Sequence, residues 1–211
     1  NDPACNALAP RPKRVSGLYP ASIQSNPEFC AVLEKRADAD ALFSQFSVVS
    51  HKPGGRAKGD PATDELVAVP YHVAYAEDMK AASAELRAAA ALLAGDPAEA
   101  AFKAYLEAAA QAFLDDDWFR ADVAWKAMTA TNSRWYLRVG PDEVYAEPCS
   151  RKANFHMTFA LINQESLEWQ RRLEPVKDDM EAAIASLAGP PYQPREVGFA
   201  LGAHDPQYGV T

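Results

Sequence analysis

The sequence is poor in the residues from which self-contained enzyme sites are usually built. Its 211 residues include four histidines and three cysteines. His51, His72, His156 and His204 are too widely spaced for one helix to offer a pair to a metal, and HExxH is absent. GxSxG and GxGxxG are absent as well, which removes the nucleophile elbow and the dinucleotide fingerprint. Basic residues are outnumbered, 21 Lys and Arg against 29 Asp and Glu, for a net charge of -8. That balance argues against a nucleic-acid partner, which would want a basic stripe. No apolar run approaches the roughly 20 residues of a membrane span, so no membrane is expected as a partner.

What is present suits an ordinary globular protein. The composition is 48% hydrophobic and 24% charged, enough apolar content to build a core without metals. The first residues are Asn1-Asp2-Pro3-Ala4-Cys5, which fits a terminus left by signal-peptide removal or an arbitrary start. The former would put the protein in a secreted or periplasmic setting, the latter leaves a cytoplasmic one open. A Cys5–Cys30 bridge would pin the Pro-rich opening onto the first helix; the alternative is three unpaired thiols. Cys149 follows Pro148 and has no base assigned to it, so it is not read as a nucleophile.

Residues 1–25, with four prolines, read as an extended arm. Residues 26–192 read as a single domain, and 193–211 as an irregular tail continuing into a missing or separate segment. A helix is expected from Pro27 to about Phe46, and a mobile surface loop over 51–63, where Gly54-Gly55 lack the spacing of a phosphate loop. Leu66–Tyr75 is ambiguous. A helix over about 76–94 ends at Gly95, where a left-handed residue is wanted. Asp96, Pro97 and Glu99 then form a capping box for the next helix, whose buried face is Phe102, Tyr105, Leu106, Ala109 and Phe113. Asp115-Asp116-Asp117 can be a metal cluster or the start of a helix; the helix start is the better fit, since no oxygen-ligand spacing accompanies it.

The stretch from Arg134 to Leu161 is where a sheet is expected. Trp135, Leu137 and Val139 alternate with Arg134, Tyr136 and Arg138. Phe155, Met157, Phe159 and Leu161 alternate with Asn154, His156, Thr158 and Ala160. A period of two marks half-buried strands, with the apolar rows facing a core. Gly140-Pro141-Asp142 is expected to interrupt the first strand and Glu143-Val144-Tyr145 to resume it, which would place Glu143 and Tyr145 on one face. Asn154, His156 and Thr158 would make a second polar row. Such rows either hold a peptide along an edge strand or are simply the solvated side of an antiparallel pair. Asn163 caps the last helix, whose apolar face is Trp169, Leu173, Val176, Met180, Ile184 and Leu187, kinked at Pro175.

The run GPDEVYAEPCSRKANFHMTFALIN (140–163), with the amphipathic helix after it and Pro190-Pro191 behind, resembles the dipeptidyl peptidase III family of zinc metallopeptidases and its bacterial relatives. The likeness covers about 65–200. It implies a lobe built on a β-core, against which peptide substrates lie. By the same resemblance Glu143 and Tyr145 match the family's E-x-Y pair. The tyrosine is the catalytic one, donating a hydrogen bond to the scissile carbonyl oxygen, and the glutamate belongs to the substrate-binding surface. Asn154 and His156 are added to that surface from the strand pattern alone. The family takes its zinc from a histidine pair in HExxGH or HExxH form and a further glutamate, a segment that these 211 residues do not contain.

The expectation is therefore an α+β fold, mostly helical, with a small antiparallel sheet at about 134–162. The function expected is that of the substrate-side lobe of a dipeptidyl peptidase III-like zinc peptide hydrolase, inactive without the zinc-bearing segment. A C-terminal segment or second chain would complete it, and no metal is bound by this chain's own motif. The alternative is a secreted, non-catalytic module that binds a peptide or a protein.

Overall fold

Residues 15–196 are described by the computed structural model, and they form an α+β fold with two separate two-stranded antiparallel sheets. The chain divides into two compact units. One comprises the residues up to Tyr75 together with 141–154, and the other 76–140 together with the residues from Phe155 on.

The first unit is built on short elements. Helices α1 (Phe29–Glu34) and α2 (Ala39–Leu42) precede strand β1 (Ser47–His51). Strand β2 (Leu66–Pro70) then leads into helix α3 (Tyr71–Ala74). β1 and β2 pair antiparallel, with Ser47 opposite Pro70 and His51 opposite Leu66. The sheet was not expected from the sequence, because five-residue strands show too few periods to be told from a loop. The single helix expected over 27–46 is split where Arg36 turns away to bind Asp38 and the carbonyls of Pro61, Ala62 and Asp64. Tyr19, Ile23, Phe29, Leu33, Leu42, Val49 and Leu66 form the core. Two of these come from the stretch expected as an extended arm, which instead makes a 3-10 turn at Ile23–Ser25.

The loop between β1 and β2 is held by carboxylates. Asp64, which is buried, accepts the N–H of Lys58 at 2.9 Å and of Gly59 at 2.8 Å. Glu65 accepts the N–H of Arg56, and Asp60 accepts the N–H of Ala62 and the hydroxyl of Thr63. Burial opposes the Asp64 charge, but the backbone donors outweigh it and hold this carboxyl below its usual range. A loop expected as mobile is thus closed by its own acidic residues.

The second unit carries the long helices. α4 (Ala76–Leu92) buries Met79, Ser83 and Ala90, and α5 (Ala100–Asp115) buries all five residues of its expected face. The two pack through small side chains: Ala109 and Ala110 are fully buried, and the Ser83 hydroxyl donates to the Ala110 carbonyl at 2.6 Å. Gly95 takes the positive φ that its position demanded, 91°. Asp96 caps by accepting from the N–H of Ala98. Glu99 does not close the expected capping box. It is buried and reaches instead to the Ser133 hydroxyl at 2.6 Å and the Arg134 N–H at 3.2 Å. The three aspartates form a corner: Asp115 ends α5, Asp116 adopts a left-handed conformation, and Asp117 stands before α6 (Trp118–Lys126).

Strand β3 (Trp135–Glu143) runs without interruption, and β4 (Asn154–Leu161) returns beside it. Gly140 keeps β3 continuous. Its φ is 138°, and a Cβ there would lie 2.5 Å from the Trp118 ring. Asn163 caps α7 (Gln164–Leu173) through the Ser166 N–H, a 3-10 turn at Glu174–Val176 holds Pro175, and α8 (Lys177–Ala188) follows.

Two expected burial patterns are reversed. The apolar row of β4, expected in a core, is exposed: Met157 is 68% accessible and Phe159 57%. The face Trp169–Leu187 of α7 and α8 is exposed as well, and α8 buries only Glu181 and Ala185. Alternation and helical spacing identified the apolar faces correctly; Phe155 meets the rings of Phe113 and Trp118 and Phe159 stacks on Trp135, yet both rows keep much of their surface exposed.

Two measurements test this description. Gly140→Ala should lower the unfolding free energy by about 2 kcal/mol or more, from the clash with Trp118 and the strained φ, in a urea melt with unchanged slope. Asp64→Asn should lower the melting temperature by several degrees at pH 7. A depressed carboxyl stabilises above its unfolded pKa, so the gap between variant and wild type should close as the pH falls below about 4.

Candidate functional site

The connection from β3 to β4, residues 144–153, lies in the segment 141–154 that belongs to the first unit and is fastened there at both ends of a tight turn. The buried Glu147 carboxylate accepts the N–H groups of Cys149 at 2.9 Å, Lys152 at 3.0 Å and Arg151. One carboxylate thereby satisfies three backbone donors that the turn would otherwise leave unpaired. Cys149 is disulfide-bonded to Cys30 on α1. This corrects the expected Cys5–Cys30 bridge: the turn carries Cys149 to a Cα separation of 5.4 Å from Cys30, and Cys5 lies outside the described residues.

Lys152 is the largest departure from what a sequence would suggest. Its side chain is fully buried, and its Nζ donates to the Leu42 carbonyl at 2.6 Å, the Ser44 carbonyl at 3.0 Å and the Ser47 hydroxyl at 2.9 Å. Burial pushes the ammonium down to about 8, while the Glu147 charge pulls it up. Three acceptors match the three hydrogens of an ammonium, so the group is charged at neutral pH and has no hydrogen free for chemistry. Arg151 pairs with Glu34 at 2.9 Å, and Ala153 accepts from the Tyr71 hydroxyl and donates to the Gln45 carbonyl. No pattern in the sequence marked Lys152, because a single basic residue in a polar turn has no periodicity to betray its burial.

The sequence-predicted site residues stand around this anchored turn. Glu143 is the last residue of β3 and is exposed. Tyr145 is in the turn beyond it, not on a strand, and is 76% accessible. The expected resumption of the strand at 143–145 fails because β4 begins only at Asn154, leaving Val144 and Tyr145 without a partner strand. Asn154 meets Glu143: its Nδ2 donates to the Glu143 carbonyl at 3.3 Å. Among the described residues, no hydrogen bond ties the Tyr145 phenol to either of them. His156 is half-buried on β4 and is assigned to the other unit.

Chemically, Glu143, Tyr145 and Asn154 offer a carboxylate, a phenol donor and an amide on a rigid support. A second arrangement of catalytic residue types occurs at Ser22, His51 and Asp64. The Ser22 hydroxyl lies 3.1 Å from His51 Nε2, but His51 Nδ1 is 3.8 Å from Asp64, beyond hydrogen-bond reach. Both Asp64 oxygens are already engaged by backbone N–H groups, so this carboxylate serves the loop. Among the described residues, no group of three or more His, Cys, Asp and Glu is placed to hold a metal ion, and no helix is long and apolar enough to cross a membrane.

No protein-family model matches the chain, and no curated protein matches it. Two solved structures are similar. One is DPP III from Caldithrix abyssi, 27% identical, with a TM-score of 0.55 over 79% of this chain and 29% of that one. The other is dipeptidyl-peptidase III from Corallococcus sp. strain EGB, 24% identical, with a TM-score of 0.57 over 90% of this chain and 32% of that one. The likeness supports a dipeptidyl peptidase III-like fold, and the chain spans 29% and 32% of the lengths of the two neighbours.

Reduction of Cys30–Cys149 should destabilise the first unit. The bridge closes a loop of 119 residues, and removing it should cost on the order of 3–5 kcal/mol. A melt with and without reductant checks this, and Cys149→Ser should reproduce the reduced protein.

Proposed function

We propose that this chain is the substrate-side lobe of a dipeptidyl peptidase III-like peptide hydrolase. The observation that carries the reading is the likeness to two such enzymes over 79% and 90% of the chain, with Glu143 at the end of β3 and Tyr145 in the turn that leads to the disulfide. In this reading a peptide lies across the turn. The Glu143 carboxylate attracts its cationic amino end, and the Asn154 side chain, which donates to the Glu143 carbonyl, stands beside it. The Tyr145 phenol donates to the scissile carbonyl oxygen as negative charge builds there, which is where a placed donor lowers the barrier. An exposed phenol is poised for that role only if a bound peptide, or the rest of the enzyme, excludes water around it.

The described residues do not fit a zinc ion, so the metal of this family would be held by a histidine-bearing segment outside this stretch. The Cys30–Cys149 disulfide supports an oxidising compartment, secreted or periplasmic, since such bonds persist poorly in a reducing cytosol.

The test is dipeptide release from a chromogenic dipeptidyl substrate. The chain alone should be inactive, and the chain joined to or mixed with a zinc-binding segment of a dipeptidyl peptidase III should be active. In the active form, Tyr145→Phe should lower kcat about 100-fold with little change in KM, as for the loss of one oxyanion donor. A folded but inactive assembly would sink this reading and leave a non-catalytic peptide-binding module. Peptide binding measured by calorimetry, weakened by Glu143→Gln, would then define that role.

A further inference from the structure

Ser22, His51 and Asp64 form a group within the first unit that takes no part in the hydrolysis proposed above. Their supports are firm. Ser22 precedes the 3-10 turn at Ile23–Ser25, whose Ile23 is fully buried. The Gln24 side chain braces that turn: it accepts the Ser16 N–H and donates to the Ser16 and Tyr19 carbonyls. His51 ends β1 and pairs with Leu66 across the sheet. Gly59, at a φ of 83°, brings the loop against Ser22, where a Cβ would lie 3.2 Å from the Ser22 carbonyl oxygen.

The surroundings of the imidazole assign its proton. Nδ1 is buried, has no hydrogen-bond partner, and faces the buried Asp64 carboxylate at 3.8 Å. A lone pair on Nδ1 would point at a negative charge. The hydrogen of the neutral ring therefore sits on Nδ1, although the separation is too long for a hydrogen bond. Nε2 is then the acceptor, and the Ser22 hydroxyl donates to it at 3.1 Å. That is the polarity a general base needs toward a nucleophile.

We infer that Ser22 is an acyl-accepting nucleophile with His51 as its base, a second site built from residues other than Glu143 and Tyr145. In attack on an ester, Ser22 Oγ bonds to the carbonyl carbon and its proton passes to Nε2. The carbon–oxygen bond to the leaving group breaks, and Nε2 returns the proton to the departing oxygen. A water deprotonated by the same Nε2 then releases the acid and restores the serine. The Asp64 charge stabilises the imidazolium formed between these steps. Ser22 is exposed, so the developing oxyanion lies in water, without the gain of a dry donor site. The substrate class follows: aryl esters, whose leaving group is already good, and not peptide bonds.

The experiment incubates the 211-residue chain with p-nitrophenyl acetate, follows nitrophenolate release, quenches with acid and locates the acetyl group by peptide mass spectrometry. Ser25 is the internal control. It is also exposed, but its hydroxyl donates to the Ser22 carbonyl and not to an imidazole. Acetylation of Ser22 should exceed that of Ser25 by about 100-fold, the usual scale of general-base assistance. Ser22→Ala should abolish the release above background. His51→Ala should slow Ser22 acetylation by a similar factor, and free imidazole should restore it by occupying the vacated space. Equal labelling of Ser22 and Ser25, label on lysines alone, or release that survives Ser22→Ala would overturn the inference. So would a folded His51→Ala that reacts at the original rate, or one that imidazole fails to restore. The comparison of Ser22 with Ser25 is made on the unaltered chain, so it decides the matter even where His51→Ala does not fold.

Discussion

Everything the first unit presents to solvent at Glu143 and Tyr145 depends on how the turn at 147–152 is buried. A turn between strands is normally a surface feature, because its backbone groups need water. Here Glu147 supplies acceptors for three of those groups, Lys152 satisfies two carbonyls and a hydroxyl from 42–47, and Cys149 is bonded to Cys30. Two opposite charges and a covalent link take the place of an apolar plug. Breaking one member leaves the other charge buried with less compensation, which is why such pairs are costly to disrupt even where their net contribution is small.

That arrangement also explains why a segment distant in sequence belongs to a unit made mostly of the first 75 residues. Residues 141–154 bring no strand to the β1–β2 sheet. They contribute a disulfide, an ammonium and the Ala153 backbone, each meeting a group near the start of the chain. An exposed phenol two residues past a strand would ordinarily be a mobile side chain. Here the residues that follow it are held by the Glu147 carboxylate, the Lys152 ammonium and the Cys30–Cys149 bridge.

The second unit shows the opposite condition. α4 and α5 bury their faces against each other through alanines and Ser83, while β4, α7 and α8 have faces of equal regularity and leave them open. Glu181 illustrates the difference. It is one of two buried residues on α8, and it is buried by the local chain: the Tyr192 hydroxyl and the Arg195 N–H both donate to it. Local contacts satisfy the polar residue, whereas the apolar ones stay exposed.

By itself the sequence determined the elements whose causes are local. Gly95, Asp96, Asn163 and Pro175 mark boundaries because a left-handed φ, a capping oxygen and a missing N–H act within a few residues of chain. The buried face of α5 was legible for the same reason, since helical spacing is a local property and Phe102 to Phe113 repeat it. The likeness to dipeptidyl peptidase III was legible as an ordered string of residue types, and the two solved structures support it at the level of the fold. Only the tertiary structure decided which apolar faces are covered, since alternation along β4 says that a face is apolar but not that anything packs on it. It alone decided that Glu143 and Tyr145 part company at the end of β3, that Cys30 takes Cys149, that Glu99 reaches Ser133 and that Lys152 lies at zero exposure. The disulfide, the Glu99 bond and the burial of Lys152 each join residues tens of positions apart, and periodicity along a chain carries no information about who arrives on the other side.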